Sequence, residues 1–174
     1  MKRRHLLVVI VALFYVSACT DNRNSPVGDS NRAAQSDPER GQADLQIGGG
    51  RVSVEYGRPA LKGRDLEKLI GPGQEWRMGS NAPTTLTTDV DLKFGEKVVP
   101  KGKYILKAKL GDQQEWHLLF QAEDQKPVAE VPLSFRKVDQ STEIMTIELA
   151  EKGDGGSFIL RWGNLMLSTD FQKA

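Results

Sequence analysis

The chain has 174 residues with 24 basic and 23 acidic side chains, a single cysteine and a mean hydropathy of −0.44. One cysteine excludes an internal disulfide, so the fold depends on an apolar core. The near balance of charge excludes the globally basic surface of a nucleic-acid binder.

The first stretch, "MKRRHLLVVIVALFYVSAC", has a basic start, an apolar run and small residues before Cys19. That pattern is a secretory signal over residues 1–18, too short to span a bilayer as a helix. Val16, Ser17, Ala18 and Cys19 resemble a bacterial lipobox, in which the cysteine receives diacylglycerol and becomes the new amino terminus. Acylation also explains a lone thiol in a secreted chain. Removing Lys2, Arg3 and Arg4 leaves 21 basic against 23 acidic residues, a formal charge of −2. Thr20, where an aspartate causes inner-membrane retention in some bacteria, points to the periplasmic face of the outer membrane. Residues 19–44 hold no aromatic residue and almost no large aliphatic one, so they read as the lipidated cysteine and a flexible linker. Coil scaling gives such a tether a reach of about 25–30 Å.

Residues 45–174 suit one domain. Strands are expected at Arg51 to Tyr56, over "TTLTTDVDLKF", and in a hairpin over "KYILKAKLGDQQEWHLLFQ" turned at Gly111-Asp112. In the second of these Leu86, Val90, Leu92 and Phe94 share one face, while Thr85, Thr87, Asp89, Asp91 and Lys93 share the other. Four more are expected at Val128 to Lys137, Glu143 to Ala150, Ser157 to Trp162 and Leu165 to Phe171, with "EKGDGG" and "WGN" as turns. About eight short strands without long helices predict an all-β domain, an antiparallel β-sandwich or flattened barrel. One short helix interrupts the pattern in a loop: in "RDLEKLIGPG" Asp65 caps, Leu66, Leu69 and Ile70 form an apolar face, and Gly71-Pro72 stops the run.

The loop around that helix carries Arg58, Lys62, Arg64 and Arg77 between Tyr56 and Trp76. Guanidinium groups bind carboxylate, phosphate or sulfate bidentately, a lysine adds a point charge, and aromatic rings stack on sugars. Asn81 and Thr84 add neutral hydrogen-bonding groups nearby. The competing reading is a structural network, in which these cations neutralise acids such as Asp65, Glu67, Glu75, Asp89 and Asp91.

Catalytic patterns are weaker. His117 is the one histidine beyond the signal and has no cysteine partner, which excludes the common zinc sites. No G-x-S-x-G turn occurs. Asp89 and Asp91 share a strand face with the spacing of a solvated surface as well as of a carboxylate pair.

"YGRPALKGRDLEKLI", "EWRMGSNAPTTLTTDVDL" and "VPKGKYILKAKLGDQQEWHLLF" together resemble the bacterial domain of unknown function 2911 family, whose members are mostly secreted or lipid-anchored. The markers are Tyr56, Arg58, Pro59, Lys62, Gly63, Arg64, Trp76, Arg77, Gly79, Asn81, Thr84, Pro100, Gly102, Tyr104 and Trp116. After Phe120 the chain departs from the pattern, with only "QAEDQKPVAEVPL" where many members carry a longer insertion. The resemblance implies a fold and an envelope location, and no activity.

The expectation is therefore an envelope lipoprotein that acts as a non-catalytic binding module without a cofactor or metal. Its binding residues would be Tyr56, Arg58, Lys62, Arg64, Trp76, Arg77, Asn81 and Thr84. The partners would be the membrane through Cys19, an anionic or carbohydrate ligand or an acidic partner, and no nucleic acid. A hydrolase using carboxylates or His117 is the second reading, and a structural or assembly component of the envelope with a protein partner the third.

Overall fold

A computed structural model describes residues 40–113 and 115–174; the signal, Cys19 and residues 20–39 lie outside the described residues. Ten strands and one helical turn follow in chain order: β1 Arg40–Ile47, β2 Gly50–Gly57, α1 Leu66–Leu69, β3 Glu75–Trp76, β4 Thr84–Thr88, β5 Leu92–Phe94, β6 Lys97–Val99, β7 Gly102–Leu110, β8 Trp116–Gln121, β9 Pro127–Lys152 and β10 Gly155–Lys173. All pairings are antiparallel, in the order β1-β2-β4-β7-β8-β9-β10-β5-β6, with β3 added beside β7. The result is one large bent sheet that wraps around an apolar core and does not close into a barrel.

The core follows from period-two alternation. Val52, Val54 and Tyr56 of β2 point inward, as do Leu106 and Ala108 of β7, Leu118 and Phe120 of β8, and Leu165 and Leu167 of β10. Phe94 of β5 lies 5.3 Å from Phe120 and 5.4 Å from Phe171, so the far end of the strand path folds over its middle. Tyr104 closes a corner of the same core. Its ring meets Phe120 edge-on and its hydroxyl donates to the Pro100 carbonyl at 2.6 Å, a short-range brace known from other β folds. Burial, with Asp91 nearby, raises the Tyr104 pKa, so this donor stays protonated.

The segment "TTLTTDVDLKF" keeps its expected faces but is two strands, because the chain changes partners in the middle. β4 pairs with β2 and β7, whereas β5 pairs with β10 and β6. The break has a local cause: the Thr88 hydroxyl accepts from the Val90 amide and donates to the Val90 carbonyl, capturing groups a ladder would need. β1 begins at Arg40, so residues 40–44, read as linker, belong to the sheet. Gln42 and Asp44 face solvent there while Leu45 and Ile47 enter the core, a pattern too polar at its start to be recognised as a strand.

At the C-terminal end four expected strands become two long ones. β9 runs through the gap expected at residues 138–142, and β10 runs through "WGN". The ribbon nevertheless bends sharply there. Pairing slips between Arg161 and Gly163 and again between Gly163 and Leu165. Gly163 takes a left-handed conformation, φ 56°, which a glycine adopts without strain. So strong is the bend that a Cβ on Gly155 would strike the Phe171 carbonyl of the same strand. "WGN" is therefore a corner in a continuous strand rather than a turn between two.

Candidate functional site

The marker residues divide by what they touch. Tyr56 is buried and its hydroxyl donates to the Ile147 carbonyl at 3.2 Å, tying β2 to β9. Thr84 has no exposed surface and donates to the Met78 carbonyl at 2.6 Å. Between them the chain crosses itself at close range. A Cβ on Gly57 would overlap the Ser80 backbone, and one on Gly79 would press on the Thr84 hydroxyl and the Gly57 amide. Met78 and Asn81 both carry left-handed backbone, φ 48° and 59°, an arrangement that non-glycine residues hold only when their surroundings fix it. The Arg77 guanidinium donates to the Asn81 carbonyl at 3.4 Å, across the exposed turn. Arg58 is exposed, and Lys62 is exposed with its backbone amide on the Glu143 carboxylate at 2.8 Å.

Trp76 and Arg64 meet elsewhere, at Trp162. The Trp76 and Trp162 rings stack with centroids 5.7 Å apart and planes 10° from parallel. The Arg64 guanidinium lies 5.4 Å from the Trp162 centroid, a cation on an aromatic face. Its Nε donates to the Leu61 carbonyl at 3.0 Å and its Nη2 to the Ala60 carbonyl at 2.5 Å. These contacts engage only part of a guanidinium's five N–H donors, and they fix its plane.

Beside Arg64 opens a cleft of about 660 Å³. Its walls are Leu61, Leu66, Ile70 and Pro72 of the loop, Leu110 and Trp116 from the end of the β7–β8 hairpin, and Phe135 and Leu165 of the β9–β10 ribbon. Arg64, Asp65, Lys137 and Asn164 supply its polar groups, and Gly163 its base. A volume of this size and a lining dominated by apolar side chains suit a small-molecule site.

Local sequence explains why the cleft exists. The Asp65 carbonyl accepts from the Lys68 amide and Leu66 from Ile70, so a single helical turn forms and directs Leu66 and Ile70 inward. Leu69, expected on the same apolar face, is instead 45% exposed. The turn is pinned at both ends, by Leu61 N–H to the Glu143 carbonyl at 2.7 Å and Gly73 N–H to the Leu110 carbonyl at 2.6 Å. Gly163 brings the β10 corner directly under Leu66 and Leu61, which a Cβ there would meet at 3.0 and 3.5 Å. Asn164 holds the opposite bulge by donating to the Val138 carbonyl at 2.7 Å and more weakly to that of Asp139.

Of the eight binding residues expected from sequence, the structure places one, Arg64, on the cleft; Trp76 supports it from behind through Trp162. The cleft's other lining residues come from the same loop and from three distant regions, the end of the β7–β8 hairpin, β9 and the β10 corner, and their sequence signals were the short helix, the marker Trp116 and the "WGN" irregularity.

The remaining ionisable groups lie apart. His117 Nδ1 sits 3.2 Å from Glu130 on the outer sheet face. The Asp89 carboxylate accepts from the Arg51 amide at 3.1 Å and Asp91 from the Lys101 amide at 2.7 Å, so each serves a backbone N–H. Asp170 accepts from Lys152 and from the Ser157 hydroxyl, and these bonds outweigh partial burial to hold its pKa below the usual carboxylate value. At Asp44 burial pushes the pKa up, but hydrogen bonds from Ser53, Arg51 and Gln42 together draw it down.

Residues 38–171 match the family model described as "Protein of unknown function (DUF2911)". No curated protein and no solved structure matches the chain.

Proposed function

Since this chain belongs to the DUF2911 family, a description that names no activity, we propose from its own geometry that it is a non-catalytic binding module held at the bacterial envelope by a lipid on Cys19. Its ligand site is the cleft between the helical turn and the β10 corner. The observation that carries this reading is Arg64, an exposed residue whose guanidinium is held by two carbonyls and Trp162 at the side of a mostly apolar cavity. A pre-fixed guanidinium loses little entropy when it engages an anion, so recognition costs less there than at a free surface arginine. Arg58, Lys62 and Arg77 line no part of the cleft and lend themselves to surface contacts.

Binding without catalysis fits the surroundings of the cleft. Among the described residues its lining holds no histidine, serine or cysteine, and a single carboxylate, Asp65, rather than a pair. Acid and base catalysis on a glycoside needs such a pair.

The test is a thermal-shift screen of the unacylated Cys19→Ser chain against phosphates, sulfated and acidic sugars, peptidoglycan fragments and alkyl carboxylates. Arg64→Gln and Arg77→Ala run in parallel. A ligand at a hundredfold excess over its Kd stabilises the protein by about 2.7 kcal/mol, several degrees for a domain of this size. The expected outcome is a shift in wild type and Arg77→Ala that is lost in a folded Arg64→Gln. Loss in Arg77→Ala instead would move the site to the Arg77–Asn81 turn, and no shift with any compound would overturn the binding reading.

A further inference from the structure

Resting on that reading, we infer that the ligand is an amphiphile: a hydrocarbon body in the cleft and one anionic head group on Arg64. The division of the lining is the first reason. Eight side chains, Leu61, Leu66, Ile70, Pro72, Leu110, Trp116, Phe135 and Leu165, offer only carbon or, for Trp116, mostly carbon to an occupant. A sugar of similar bulk carries a hydroxyl on nearly every carbon, and burying those without partners costs more than an apolar wall returns. The side-chain amide nitrogen of Asn164 is already committed to the Val138 and Asp139 carbonyls, which leaves the side-chain polar groups of the lining chiefly to Arg64, Asp65 and Lys137.

Size and surroundings give the second reason. At about 30 Å³ per water-sized group, a cavity of 660 Å³ has room for about twenty such groups, enough for a medium-length chain and its head. The apolar character also continues outward. Among the described residues the exposed large hydrophobics are Leu69, Val98, Val128, Phe135 and Ile144. Phe135 lines the cleft and Leu69 belongs to the helical turn that walls it, between Leu66 and Ile70. A polyanion or a sugar gains nothing from such a rim, whereas an alkyl chain passing into the cleft does.

Charge fixes the head group. Arg64 retains guanidinium N–H groups that make no hydrogen bond within the described residues, since only its Nε and Nη2 donate to carbonyls. A carboxylate and a phosphate monoester both accept from that edge, and the two are separable by experiment.

The experiment is a calorimetric titration of the unacylated Cys19→Ser chain with octanoate, decanoate and dodecanoate below their micellar concentrations. Decanol, decyl phosphate and decyltrimethylammonium serve as head-group controls. The expected result is a Kd that tightens about fourfold per methylene until the cleft is full. Decanoate or decyl phosphate should bind at least about tenfold more tightly than decanol, with no binding of the ammonium compound, and the tighter of the two anions names the head group. Arg64→Gln should erase the advantage over decanol while leaving decanol binding unchanged. Phe135→Ala, a change at a half-exposed rim that the fold tolerates, should weaken decanoate and decanol alike. A Kd independent of chain length, or equal for decanoate and decanol, overturns the inference. So does binding of a sulfated or acidic sugar with none of the alkyl probes, which would leave the cleft a binding site of another class. Silence from every compound would remove both the inference and the binding reading beneath it.

Discussion

Two neighbouring regions draw on the same stretch of chain in opposite ways. The crossing of residues 56–58 with 77–84 is dense in distinctive residues, and nearly all of them serve the backbone: Gly57 and Gly79 allow contact, Thr84 and Tyr56 hold carbonyls, Asn81 turns the chain. The cleft a few residues away is walled mainly by leucines, an isoleucine, a proline, a phenylalanine and a tryptophan, with Arg64, Asp65, Lys137 and Asn164 as its polar groups. A recognisable motif can therefore mark where a fold is hardest to build, while the proposed ligand site beside it is written largely in residues that any core would use. Of the marker residues only Arg64 and Trp116 line the cleft, and Trp76 stacks on the Trp162 ring that Arg64 covers.

Substitutions at the crossing should cost stability and leave binding intact in whatever protein remains folded. Gly57→Ala forces a Cβ into the Ser80 backbone, which no side-chain rearrangement relieves. A loss of about 3 kcal/mol, or on the order of 10 °C in Tm, is expected by differential scanning calorimetry. Thr84→Val keeps shape but strips the buried Met78 carbonyl of its donor, for about 1–3 kcal/mol in a denaturant titration with unchanged slope. If either variant melts like wild type, the crossing is not the structural knot described above.

Acid should act on a third place, the start and end of β10, as it should at Asp44 on β1. The Asp170 pKa is lowered in the fold, so its contribution is present above the unfolded value of about 3.9 and is lost as pH falls through the folded value. Asp170→Asn should therefore melt at most a few degrees below wild type at neutral pH, because the Lys152 pair is exposed. The two curves should converge as pH drops below about 4. A gap that widens in acid would show that another group governs that limb.

The smallest effects are expected at the exposed cations of the marker stretch. Arg58→Ala, Lys62→Ala and Arg77→Ala remove exposed charge and at most one long hydrogen bond, so each should change stability by less than about 0.5 kcal/mol. Ligand affinity in the cleft should be unchanged in all three. A tenfold loss in any of them would join the two regions into one site.

How far the sequence carried the reading depended on whether the information was local. Alternation identified β2, the β7–β8 hairpin and the inward faces of β4 and β5, because burial repeats every second residue whatever the partner strand. It was blind to the exchange of partners at Asp89–Asp91, which rests on one hydroxyl of Thr88. It also divided β10 at Gly163, since a glycine corner and a chain reversal leave the same trace. Of the candidate site, the short helix and the Arg64 cation were legible. Phe135, Asn164 and Leu165 were not, because only the bend of the β9–β10 ribbon brings them beneath Leu61 and Leu66.

Separating the two regions most directly requires seeing where a ligand lands. Amide chemical shifts of the isotopically labelled Cys19→Ser chain, recorded during a titration with decanoate, would show it residue by residue. Cleft binding predicts perturbations gathered at Leu61, Leu66, Leu110, Phe135 and Gly163 to Leu165, together with the Trp116 indole. Perturbations centred instead on Gly57, Arg58 and Arg77 to Thr84 would contradict it and place recognition at the crossing.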